Sequence, residues 1–101
     1  MKKIETLKKA LKKKFPTIVF ADDSWTTNGF AISAESDSTV HETVEGIDTD
    51  IPLADYYGYE EYDPEETLHE FGVNKTFADY LRREGYHAEW INPGVLGIYK
   101  T

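Results

Sequence analysis

The chain has 101 residues, no cysteine, 14% aromatic and 30% charged residues, and a formal net charge of −8. That length suits one domain with a modest core, and the aromatic content is enough to build it, which argues against two ordinary domains and against disorder throughout. Without cysteine there is neither a disulfide framework nor a thiolate metal site.

Ile4, Leu7, Ala10 and Leu11 recur at helical spacing with lysines at most other positions. This predicts an amphipathic helix over residues 2–14, ended by Pro16, with lysines near its C-terminal end suiting the macrodipole. The expected arrangement packs one face on a sheet and leaves the lysines in water. A nucleic-acid or anionic-membrane contact is the alternative, disfavoured by the lack of an aromatic residue on the helix. The Lys-rich start is followed by no apolar run of signal-peptide length, and the longest apolar runs, four or five residues, are far short of a membrane span. A cytoplasmic location is expected.

Residues 17–21, Thr-Ile-Val-Phe-Ala, predict a buried strand. Asn28-Gly29 predicts the turn of a hairpin leading into a strand over 30–34. Trp25 falls in or beside that turn, either folded over the core or standing out as an anchor. A further turn at 36–38 precedes a strand over 39–44, in which Val40 and Val44 face one way with Glu42 between them. An inward carboxylate fits an edge strand guarded against aggregation, or an acid–base residue with a raised pKa. Residues 46–52 read as a connecting loop. The tyrosine-rich stretch after it reads as an ordered surface loop with a short helical turn after Asp63-Pro64-Glu65.

The clearest helix covers 74–85: Asn74 caps it, Phe77 and Leu81 share a face, Arg82 and Arg83 fill the last turn and Gly85 ends it. Strands over 86–90 and 95–99 flank a turn at Asn92-Pro93-Gly94. The order α-β-β-β-loop-α-β-β implies a single α+β domain over 1–101, an antiparallel sheet of about five strands with helices packed on one face.

Motifs for chemistry are few. Asp48-x-Asp50 lacks the glycine and distal Glu of a calcium loop. His41-Glu42-Thr43-Val44-Glu45 has no second histidine and reads as strand, unlike a zinc-protease helix. His41, His69 and His87 are isolated in the sequence. No nucleophile elbow or glycine-rich phosphate cradle occurs. No cofactor and no metal are expected, and a non-catalytic role is favoured.

What remains is charge. Residues 1–14 carry seven lysines and one Glu, whereas residues 15–101 carry four basic and eighteen acidic residues. Thirteen of the acids fall between Glu35 and Glu70, where there is no Lys or Arg. Such a body repels phosphate backbones and attracts basic surfaces, both effects being screened by salt; direct nucleic-acid binding is not expected. Within the stretch, Asp55, Tyr56, Tyr57, Tyr59, Glu60, Glu61, Tyr62 and Asp63 form the candidate partner-binding set, tyrosines as rigid anchors and carboxylates as steering charges. In size and charge the chain resembles phage-borne nucleic-acid mimics and anti-defence inhibitors, anti-CRISPR proteins among them. The resemblance is of composition alone; it implies occlusion of a basic, nucleic-acid-binding surface on a partner protein. The alternatives are a homodimer, through a sheet edge or the basic helix of one copy against the acidic loop of another, and a small enzyme using Glu42 or a histidine.

Overall fold

Helix α1 (Ile4–Lys14) forms where the apolar residues recur at helical spacing. Leu7 and Leu11 are fully buried, and Lys12, Lys13 and Lys14 fill the last turn, against the negative end of the dipole. The Lys12 ammonium donates to the carbonyls of Pro16 at 2.9 Å and Ile18 at 3.2 Å, tying down the chain that leaves the helix. Lys8 lies over the Phe20 ring at 5.1 Å and Lys14 over Tyr80 at 5.3 Å, so part of the basic face is used within the fold. The computed structural model describes residues 3–35, 38–57 and 67–101.

Among these residues the chain continues through a single 3-10 turn (Asp23–Trp25) and then β1 (Gly29–Ser33), β2 (Thr39–Val44), β3 (Ile47–Pro52), β4 (His69–Glu70), β5 (Val73–Asn74), α2 (Lys75–Arg83), β6 (Tyr86–Asn92) and β7 (Val95–Lys100). The principal sheet has the order β1-β7-β6, all antiparallel. Strand alternation turns Phe30, Ile32, Leu96, Ile98 and Tyr86 to one face, where none is more than 1% exposed. Both helices bury their apolar side in that same core, Leu7 and Leu11 from α1 and Phe77 and Leu81 from α2. Phe15, just past α1, meets Phe77 edge-on at 5.3 Å and joins the two helices. Each such side chain contributes about 1.5–3 kcal/mol by burial. Burial also holds the Tyr86 phenol above its ordinary pKa.

Gly29 and Gly97 lie on the sheet's other face. A Cβ on Gly29 would lie 2.1 Å from the Ile98 carbonyl oxygen, so this glycine is required by close approach of the β7 backbone. The Tyr99 ring lies over Gly97, supplying cover the glycine lacks.

The expected single α+β domain is present, with its helices on one face of the main sheet. The single five-stranded sheet is not. Seven strands among the described residues form three small antiparallel sheets, β1-β7-β6, β2-β3 and β4-β5. The expected loop at 46–52 is largely β3, paired residue for residue with β2 from Val44–Ile47 to Thr39–Pro52. Its turn is Glu45-Gly46, both at positive φ (52° and 81°), the pattern of a type I′ hairpin. The expected strand at 17–21 is reduced to one bridge, Phe20 to Ile32. Thr17 bonds instead to the start of β2, its hydroxyl accepting the Thr39 N–H at 2.8 Å, while Val19 and Ala21 bond to β1, so the segment splays between two sheets. Asn28-Gly29 forms no tight hairpin turn; the chain turns through the 3-10 segment, where the Asp22 carboxylate accepts the Ser24 N–H at 2.7 Å. That bond holds the Asp22 pKa below its usual value.

Candidate aromatic contact face

After β3 the chain runs on past Leu53, and Ala54 bridges to Val73. The Asp55 N–H donates to the Gly72 carbonyl at 2.7 Å, and the Asn74 N–H donates to that of Leu53 at 2.9 Å. These bonds carry Tyr56 and Tyr57 to the tip of the β4–β5 hairpin. That tip is Phe71-Gly72, with φ of 51° and 80°. Gly72 is required twice over, by its backbone conformation and because a Cβ there would lie 2.6 Å from the Asp55 carbonyl oxygen. Phe71 meets no such requirement. A bulky side chain in the left-handed region is disfavoured, and this one is 82% exposed.

Trp90, on the core-facing side of β6, joins the tip from the main sheet. Its indole N–H donates to the Phe71 carbonyl at 2.7 Å. Tyr56 stands edge-on to Trp90 at 5.2 Å and to Tyr57 at 4.9 Å. The result is a chain of aromatic residues, with Tyr56 at 45% and Tyr57 at 77% exposure. Exposed aromatic clusters of this kind mark interaction sites. Arg82 of α2 lies at the margin, bonded to Glu70 at 2.6 Å and to Asp79, two acceptors that hold its guanidinium still more firmly protonated.

Of the eight predicted site residues, Asp55, Tyr56 and Tyr57 are described and sit together here; Tyr59, Glu60, Glu61, Tyr62 and Asp63 lie outside the described residues, as does the helical turn expected after Asp63. Phe71 and Trp90 were not among the predicted residues. The signal for Phe71 was faint: an aromatic residue directly before a glycine in a short polar stretch. Trp90 reads as an ordinary strand residue, and only the approach of the hairpin makes it part of this face. Trp25, half exposed, sits on the 3-10 turn against β1.

The histidines are dispersed over the three sheets. His41 lies beside Asp50 at 3.2 Å and Asp48 at 3.7 Å, His69 is fully buried against the Pro52 carbonyl at 3.0 Å, and His87 lies 3.3 Å from the Thr101 hydroxyl. The Asp50 contact, with Asp48 adding to it, raises the His41 pKa above its ordinary value. Among the described residues no group of three or more His, Asp or Glu side chains is arranged to hold a metal. Glu42 accepts hydrogen bonds from Asn74 at 3.2 Å and Thr76 at 2.7 Å, a structural use for an inward carboxylate. The cleft of about 360 Å³ between α1 and β2 is lined by Lys14, His41 and Asp50 but not by Glu42. No helix among the described residues is long and apolar enough to cross a membrane. No family model matches the chain, and no curated protein or solved structure matches it either.

Proposed function

We propose that the protein is a small non-catalytic binding module whose aromatic face docks on a basic, nucleic-acid-binding surface of a partner protein and occludes it. Tyr56, Tyr57 and Phe71 are the anchors. Asp55 and the carboxylates that follow it in the sequence, Glu60, Glu61 and Asp63 among them, steer the encounter. The observation that carries this reading is Phe71, a large apolar side chain kept in water at a backbone position that Asn or Gly would hold with less strain. Strained backbone positions cluster at sites held for function. Charge supports the class of partner, since residues 15–101 carry eighteen acidic and four basic residues, a balance that attracts basic, nucleic-acid-binding surfaces.

The test is affinity capture from lysate at low and moderate salt, with wild type and Phe71→Ala in parallel. A nucleic-acid-binding protein retained at low salt, displaced by added DNA or RNA and lost with Phe71→Ala, is the expected result. Retention insensitive to salt and to Phe71→Ala would refute the reading.

A further inference from the structure

We infer that the free edge of β6 receives an extended, basic segment of the partner as an added strand. The inference rests on the binding role proposed above and specifies the form the partner takes there. The backbone alternation supplies the first observation. The Thr101 N–H donates to the Gly85 carbonyl at 2.9 Å, which makes Gly85–Thr101 a hydrogen-bonded pair in the register of β6 and β7. Antiparallel ladders alternate, so His87 and Glu89 turn their main-chain groups toward β7 while Ala88 and Trp90 turn theirs away. Bonds on the far side agree: the Ala34 N–H reaches the Gly94 carbonyl at 2.9 Å, and Ala31 bonds away from β7 to Ala21. β6 ends the strand order, and no described residue pairs with the outward main chain of Ala88.

Edges of this kind are normally blunted by Lys, Pro or short length. β6 has seven residues and neither Lys nor Pro, and its irregularity falls only at the Trp90–Asn92 end. Beside the edge runs a cleft of about 190 Å³, lined by the apolar Phe71, Val73, Ala78, Ala88 and Trp90 together with Glu70, Arg82 and His87. It suits one aliphatic side chain of a strand laid along β6. The neighbouring side chains of that strand would turn to the opposite face, where Glu89 is 65% exposed and lies 3.7 Å from the His87 ring. An alternation of apolar and basic residues therefore fits both sides, with main-chain bonds supplying affinity and the pockets supplying selectivity. A second copy fits less well, because each chain carries a net charge of −8.

The probe is a synthetic nine-residue peptide of alternating Lys and Val, titrated into the ¹⁵N-labelled full chain at low salt. Binding is expected to slow hydrogen exchange of the Ala88 amide about tenfold or more. Ala88→Pro removes the outward donor without removing a β6–β7 bond, and should weaken binding about tenfold. As a control that leaves the protein unchanged, the peptide is methylated on its valine amides or, separately, on its lysine amides. An added strand bonds through alternate residues, so one methylated form binds and the other does not; binding by both would overturn the inference. Shifts confined to Tyr57 and Phe71, with Ala88 unprotected, would overturn strand addition while leaving the binding role standing. No binding at all would also overturn it, and the binding role would then be judged by the lysate capture. Protection of Ala88 that grows with protein concentration alone would replace the basic segment with a second copy.

Discussion

Asn74 joins α2 to Glu42 of β2 through the two ends of one amide. Its Oδ1 accepts the Phe77 N–H at 3.0 Å as a helix cap, and its Nδ2 donates to the Glu42 carboxylate at 3.2 Å. Asn74 is fully buried. A side chain with only an acceptor or only a donor could not do both.

Substitution at Asn74 separates the two bonds. Asn74→Ala loses both and should cost about 1–3 kcal/mol. Asn74→Asp keeps the cap but sets one carboxylate against another. Its destabilisation should be largest at neutral pH and smaller at pH ~4, where repulsion between two carboxylates is relieved. Urea denaturation at both pH values measures this; an Asp variant as stable as the parent at pH 7 would refute the Glu42 contact.

At the hairpin tip, Phe71→Asn exchanges a strained aromatic residue for one that tolerates the left-handed conformation. Stability should rise by about 0.5–1 kcal/mol while partner affinity falls about tenfold or more. Thermal unfolding read beside the capture assay checks both directions. A variant that loses stability and keeps its partner would make Phe71 a structural residue.

His41 should titrate above 6.5 in the folded protein, the direction set by the contact with Asp50 and reinforced by Asp48. Because the folded-state pKa is raised, the associated stabilisation is fully present below the unfolded value of 6.5 and is lost as pH rises through the folded value. Asp50→Asn should bring His41 back toward its ordinary value in an NMR titration of the ring carbons. An unchanged midpoint in that variant would assign the shift to another cause.

Two glycines of the main sheet should respond differently to a methyl group. Gly29→Ala sets Cβ against the Ile98 backbone, which cannot turn aside, and should cost about 2–4 kcal/mol. Gly97→Ala meets the Tyr99 ring, which can swing away, and should cost less. Denaturant midpoints of the two variants give the order directly.

Much of the local structure was legible because its signals are local. Leu7 and Leu11 at helical spacing, Asn74 as a cap and Gly85 at φ of 82° are the elements of α1 and α2. Strands β2 and β6 followed from alternation, and β7 from the turn at Asn92-Pro93-Gly94 before it. β3 was missed because Asp48 and Asp50 made the segment look like a loop. The alternation of Ile47, Thr49 and Ile51 was there to be read, with Glu45-Gly46 as the turn before it.

By itself the sequence determined the α+β class, the two helices, the acidic balance of the body and the tyrosines at the start of its aromatic stretch. Those properties depend on side-chain type and short-range spacing. Tertiary structure alone decided how the strands divide into three sheets, since pairing partners compete over the whole chain and β4-β5 has only two residues on each side. It alone set Trp90 beside Tyr56 and under the Phe71 carbonyl, contacts spanning 34 and 19 positions in sequence. Register and packing, which no local pattern encodes, turned separate aromatic residues into one face.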